Sequence, residues 1–266
     1  MFQKKKRKKK KRTDVNLMKE LEYYRAKSIK VTSRQKYAIA GILVLLVIGG
    51  VLFSPLFAVK NIRNEGAVHF TTSQLCEKIG LSPGDNTIFF GKGRAARLLE
   101  KEPYIEKAKV SAKLPDTMII TVTERKVRGY VPYMGSYLYI DDVGRVLDVQ
   151  DAYYEALPLV KGLSFGNFKK GEVIPAENPE ALDVMLQISQ VMEKYELLDL
   201  VVEIDVSNPD DIYADVNQVQ IHLGDMENSE QKIKIMAEIM KKIPEEDRGT
   251  LDLSDLNKPI AFRYLM

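Results

Sequence analysis

Cysteine is nearly absent from this sequence. Of 266 residues only Cys76 carries a thiol, which excludes an intramolecular disulfide. Histidine is almost as scarce. His69 and His222 have no neighbouring Cys or His at ligand spacing, which argues against a structural zinc site. No cofactor fingerprint is visible and no nucleophile is paired with a base, so the expectation is a protein without cofactor, metal or catalytic residues. Gly91-Lys92-Gly93 has the composition of a phosphate loop but lacks the G-x-x-x-x-G-K-[ST] spacing. Asp141-Asp142 could pass for a carboxylate pair. Neighbours on a strand point to opposite faces, however, so the two would not converge on one substrate atom, and a turn is the simpler role.

Charge is missing from one long stretch. YAIAGILVLLVIGGVLFSPLFAV, residues 37–59, runs for 23 positions without a charged side chain. A helix of that length rises about 34 Å, enough to cross a hydrocarbon core of about 30 Å. A cleaved signal peptide is the rival reading, but its apolar region is shorter, and Leu56-Phe57-Ala58 matches an A-x-A-like cleavage site poorly. The expectation is a single uncleaved transmembrane helix over 37–58, with Tyr37, Leu45, Leu46, Phe53 and Phe57 among its membrane-contacting residues.

Positive charge, by contrast, is concentrated. Residues 1–36 hold 15 Lys/Arg against 3 Asp/Glu, nine of the cations forming the run KKKRKKKKR, while the remaining chain holds 25 against 34. A nucleic-acid-binding domain should be basic on its folded part. Here the basic part is a tail and the rest is acidic, so no specific nucleic-acid partner is expected. Cations before the apolar stretch place the N-terminus in the cytoplasm and residues 60–266 outside. The tail then fits a juxtamembrane cluster attracted to anionic lipid, with Lys4, Arg7, Arg12, Arg34 and Lys36 as lipid-facing cations.

Beyond the apolar stretch, residues 59–127 read as a compact α+β unit. VKNIRNEG looks like a strand closed by a glycine turn. Thr71 followed by Gln74 is a capping-box pattern, Phe70 and Leu75 sit at staple spacing, and Gly80 can end the helix. Cys76 then reads as a small buried apolar residue. A second helix is predicted over about 92–102, stopped by Pro103. Ala108, Val110 and Ala112 alternate with Lys107, Lys109 and Lys113 on a strand, and MIITVTE returns after the Pro115-Asp116 turn.

Residues 128–266 hold a hairpin at SYLYIDDVGRVLDV and helices over about 178–196 and 229–243. Strands are predicted at 200–207, 211–216 and 218–224, with two more in TLDLSDL and IAFRYLM. The tyrosines of 130–139 read as packing residues rather than a ligand box.

The pattern V-x-x-I-x-x-x-G, G-L-x-x-G-x-N, P-Y-I-x-x-A-x-V and L-P-x-T-x-x-I-x-V-x-E-R is carried by Val59, Ile62, Gly66, Gly80, Leu81, Gly84, Asn86, Pro103, Tyr104, Ile105, Ala108, Val110, Leu114, Pro115, Thr117, Ile120, Val122, Glu124 and Arg125. It resembles the POTRA domain of the FtsQ/DivIB bacterial division proteins. Tyr137, Tyr139, Ile140, Asp141, Gly144, Val146 and Leu147 resemble the hairpin that opens the family's second domain.

The resemblance implies a βααββ POTRA-like domain at 59–127 and a larger β-rich α/β domain at 128–259, with 260–266 as a terminal edge strand. It also implies a non-enzymatic scaffold at the division septum. Its partners would be division proteins of the FtsL and DivIC/FtsB type, with the septal transpeptidase as a further candidate. The sheet edge and adjacent helix that bind partners in that family single out Lys232, Met236, Met240, Ile260, Phe262, Arg263 and Tyr264 here. Two other functions fit the same architecture: an anchored receptor that holds extended polypeptides, and an anchored cell-wall enzyme.

Overall fold

A computed structural model describes residues 18–19, 32–153 and 156–265. Lys4, Arg7 and Arg12 lie outside the described residues. The chain divides into two units, 1–57 and 58–266.

In the first unit, helix α1 spans Ser33–Leu52, about 30 Å of helix for its 20 residues. Thr32 opens it through a capping box with Gln35, whose side-chain oxygen accepts from the Thr32 backbone N–H at 2.9 Å. No residue of α1 is buried, and Tyr37, Leu45 and Leu46 are all exposed, as a helix facing lipid on every side requires. Such a helix fits a single-pass membrane anchor. It starts earlier than the uncharged stretch, so Arg34 and Lys36 ride on its first turn. It also ends earlier, before Pro55, which opens a short 3-10 turn at Pro55–Phe57. Phe53 is therefore its C-cap and Phe57 lies beyond it.

The second unit begins with a POTRA-like module. Its strands are β1 (Asn61–Glu65), β2 (Ile105–Lys113) and β3 (Thr117–Glu124), in the order β1-β3-β2 with β1 parallel to β3. Helices α2 (Thr72–Ile79) and α3 (Lys92–Leu99) cover one face. The capping box forms as the sequence predicts: Gln74 Oε1 accepts from Thr71 N at 2.8 Å, and Gly80 adopts φ 67° to end the helix. Leu75, Ile79, Ala95 and Leu99 close over Val110, Met118, Ile120 and Val122. Cys76 is half-buried against this core, and burial pushes its thiol pKa up, as suits a packing residue rather than a nucleophile.

The larger module is one sheet of nine strands. They are β4 (Gly129–Tyr133), β5 (Ser136–Ile140), β6 (Val146–Gln150), β7 (Leu159–Lys161), β8 (Val201–Asp205), β9 (Ile212–Val216), β10 (Val219–Gly224), β11 (Gly249–Asp252) and β12 (Phe262–Tyr264). The order is β12-β11-β10-β9-β8-β7-β4-β5-β6. Most pairs are antiparallel, but β7 runs parallel to both neighbours and β10 runs parallel to β11.

Helices α4 (Pro179–Lys194) and α5 (Ser229–Met240) bury Met185, Ile188, Met192, Ile233 and Met236 in one core with Ile204, Ile212, Ala214, Val216, Ile221 and Leu251 of the sheet. Alternation along the same strands turns Tyr213, Asp215, Gln220 and His222 to the opposite face.

The modules meet at a joint with an apolar and a charged part. Tyr104, just before β2, packs against an aromatic cluster built on Tyr130, Tyr139 and Leu147, with the two buried rings meeting edge-on at 4.7 Å. Beside it, Asp141 is buried to 1% exposure. Its Oδ1 accepts from the backbone N–H groups of Val143 at 3.0 Å and Arg145 at 2.8 Å, while Oδ2 lies 3.4 Å from Arg125 Nη1 and 3.8 Å from Arg145 Nε. Asp142 points to solvent. The two carboxylates thus diverge because the pair lies in the turn beyond β5, and Asp141 both turns the hairpin and holds the arginine that ends the first module.

Candidate functional site

Strand β12 pairs with β11 through Gly249↔Tyr264, Thr250↔Arg263 and Leu251↔Phe262, and Leu265 N donates to Arg248 O at 2.9 Å. On its other side it has no strand among the described residues. Its outward N–H and C=O groups are therefore available to an added strand.

Seating this edge demands a glycine. A Cβ at Gly249 would fall 2.2 Å from the Phe262 ring and 2.6 Å from the Arg263 carbonyl oxygen. Phe262 is half-buried against the main core together with Ile260, so the strand is fixed by side-chain packing as well as by its ladder. Tyr264 stands on the same face as Phe262, 66% exposed, the two rings perpendicular at 4.7 Å. Arg263 projects to the opposite face and is also exposed. An incoming strand would meet an aromatic face on one side and a cation on the other.

Below Arg263 lies a polar groove of about 430 Å³ lined by Tyr213, Gln220, His222, Thr250, Asp252 and Lys258, among others. His222 stacks on Tyr213 at 4.6 Å, with Nε2 2.6 Å from Asp211 Oδ1 and Nδ1 3.3 Å from Asp252 Oδ1. The Ser254 hydroxyl, and then its backbone N–H, hold the Asp252 carboxyl below the usual carboxylate range. These groups are satisfied by one another. Among the described residues no cluster of His, Cys, Asp or Glu has the geometry to hold a metal ion.

The adjacent helix requires a correction. Lys232, Met236 and Met240 were expected to contact a partner, but α5 turns all three into the core. Met236 is fully buried. Lys232 Nζ donates to both the carbonyl and the carboxylate of Asp225, each at 3.0 Å, which lowers the Asp225 pKa and satisfies a buried ammonium. The cause lies in the spacing: positions 232, 236 and 240 repeat every four residues and so share the stripe that faces the sheet. The exposed face of α5 carries Gln231, Lys234 and Glu238 instead.

The architecture defines a class: a POTRA module joined to a β-rich module with a free edge, behind a helix that fits a membrane anchor. Comparison with known proteins gives the particular family. Residues 57–125 match the FtsQ-type POTRA domain, and residues 129–256 match the C-terminal domain of cell division protein FtsQ/DivIB. The chain is similar to cell division protein DivIB of Clostridium botulinum, 21% identical over 244 residues covering 91% of this chain and 95% of that one. It is similar to DivIB of Listeria monocytogenes, 26% identical over 234 residues, 86% of this chain and 78% of that one. A third relative, DivIB of Staphylococcus aureus, is 27% identical over 141 residues, 53% of this chain and 32% of its own length. The chain belongs to the FtsQ/DivIB family of cell division proteins.

Proposed function

We propose that this protein is a non-enzymatic, membrane-anchored scaffold of the division machinery that captures partner proteins by adding a strand to β12. The observation that carries the proposal is the edge itself: a three-residue strand held by packing on one side and, among the described residues, open on the other. The partners are division proteins of the FtsL and DivIC/FtsB type, with the septal transpeptidase drawn in through them. Ile260 and Phe262 set the edge, and Arg263 and Tyr264 meet the incoming chain.

In this reading α1 is a single-pass anchor, the basic tail with Lys4, Arg7 and Arg12 stays inside against anionic lipid, and residues 58–266 stand outside at the septum. Tethering confines the partners to the membrane plane and raises their effective concentration, so that weak strand pairing suffices. The protein thereby stabilises or regulates the complex that directs septal peptidoglycan synthesis.

Photo-crosslinking in dividing cells from a probe at Tyr264 tests this. Specific division proteins should be captured, and Phe262→Asp or truncation after residue 259 should abolish capture while the core remains folded. Unchanged capture by either variant refutes the edge as the site. Even distribution of a fluorescent fusion around the membrane, in place of a midcell ring, would instead favour a receptor that holds extended polypeptides on the same edge.

A further inference from the structure

The end of the POTRA sheet where β1 begins combines exposed apolar side chains with cations. Lys60 N and Asn61 N both donate to Asp116 O, so the start of β1 and the 113–116 turn lie side by side. That turn carries Leu114, 59% exposed, beside the exposed Lys113. The loop at 86–90 is tied to the same end: Asn86 bridges Ala58, and the Thr87 hydroxyl donates to Pro115 O at 2.7 Å. It presents Phe89, 52% exposed. Neither apolar side chain joins the POTRA core, although Phe90, next to Phe89 in sequence, does.

Further along, the sheet face away from the helices carries Arg63, Lys107 and Lys109 against one carboxylate, Glu65, with Ile119, Thr121 and Thr123 between them. Arg63, Lys109 and Lys113 form no ion pair among the described residues, while Lys60 approaches Asp116 only at 3.8 Å. An amphipathic rim of this kind, apolar tips flanked by ammonium groups, is matched by a surface with phosphates outside and acyl chains beneath.

Chain length supplies the occupant. Residues 53–60 connect the end of α1 to β1 and can span at most about 32 Å. We propose that this rim, formed by Lys60, Phe89, Lys113 and Leu114, docks on the outer surface of the bilayer that anchors the chain, with the two lysines on anionic headgroups. The proposal rests on the anchor reading above. Leu114 and Phe89 enter the headgroup layer, and the cations of the sheet face add a longer-range attraction that salt screens. The module is thereby oriented as well as tethered.

The test uses the full chain in lipid nanodiscs, with Cys76→Ser and a single labelled cysteine at Leu114→Cys, quenched by doxyl-labelled lipid. Quenching should be strong with phosphatidylglycerol present, weak in pure phosphatidylcholine and reduced by high salt. Lys60→Glu with Lys113→Glu should weaken the contact by about 25-fold or more, at roughly fivefold for each cation removed from the surface. A label at Glu238→Cys on α5 should stay unquenched throughout.

Absence of quenching at position 114, or quenching that ignores lipid charge and salt, overturns the proposal. The salt series needs no charge substitution and stands if the double variant misfolds. A label at Leu46→Cys separates the two readings: unquenched, the anchor itself is wrong; quenched while 114 is not, only the rim contact is wrong.

Discussion

Replacing Asp141 by asparagine exchanges one oxygen for an amide nitrogen at the joint between the modules. Asparagine keeps the Oδ1 acceptor for Val143 N and Arg145 N, but it turns a donor toward two guanidinium groups that previously faced a carboxylate. Hydrogen bonds to charged groups are each worth about 1.5–3 kcal/mol. Only the Arg125 contact, at 3.4 Å, is a hydrogen bond, the Arg145 contact at 3.8 Å being an ion pair, and the arginines are 22% and 31% exposed, so water takes up part of the loss. The net cost comes to about 2–3 kcal/mol.

For a unit of this size each kcal/mol lowers the midpoint by about 2–4 °C, which predicts a drop of about 5–10 °C for Asp141→Asn. Asp142→Asn, one position along and exposed, should change stability by less than about 0.5 kcal/mol. Thermal unfolding of the detergent-solubilised chain, followed by near-ultraviolet circular dichroism, reads this directly. There is no tryptophan, so the signal comes chiefly from tyrosines, of which Tyr104, Tyr130 and Tyr139 lie at the joint. Coincident midpoints for the two variants would refute the clamp.

Two further outcomes follow from single positions. Gly249→Val should unseat β12, because its Cβ would overlap the Phe262 ring; partner crosslinking should fall to background while far-ultraviolet circular dichroism shows an intact fold, and retained crosslinking would count against the edge. Asp215 is pushed above the usual carboxylate range by burial and then by Glu203, so its ionised form destabilises the folded state. Asp215→Asn should therefore raise the unfolding midpoint at pH 7, with the gain shrinking as pH falls through the raised folded value and vanishing below the ordinary carboxylate range; an equal gain at pH 3 would show another cause.

The POTRA module was legible because its signals are local. Thr71, Gln74 and Gly80 dictate a helix and both its ends within ten residues, and the alternation around Val110 fixes the face of β2. The larger module was legible in pieces but not in assembly. The pairing of β10 with β11 joins Val219 to Gly249 in parallel across a helix, and the single residue pair linking β7 to β4 leaves no trace in periodicity.

Charged residues were the hardest to place. Asp141 reads as a turn former, and its second task depends on Arg125 arriving from another module. Lys232 looks like surface by residue type, yet its four-residue spacing from Met236 and Met240 already put it on the core stripe. There the periodicity was the better guide than the chemistry of the side chain. The anchor helix stopped short of the apolar run because Pro55 disfavours helical backbone just before it, a local effect that composition alone does not register.

The joint at Tyr104 and Asp141 has a geometrical consequence. With that elbow locked, the open strand keeps one position relative to the POTRA module rather than sweeping through a range. Under the proposed strand addition, a companion that must also touch the POTRA module has to match that spacing, whatever its affinity for the strand alone. Loosening the elbow should then weaken capture of such a companion while leaving pairing with an isolated strand unchanged.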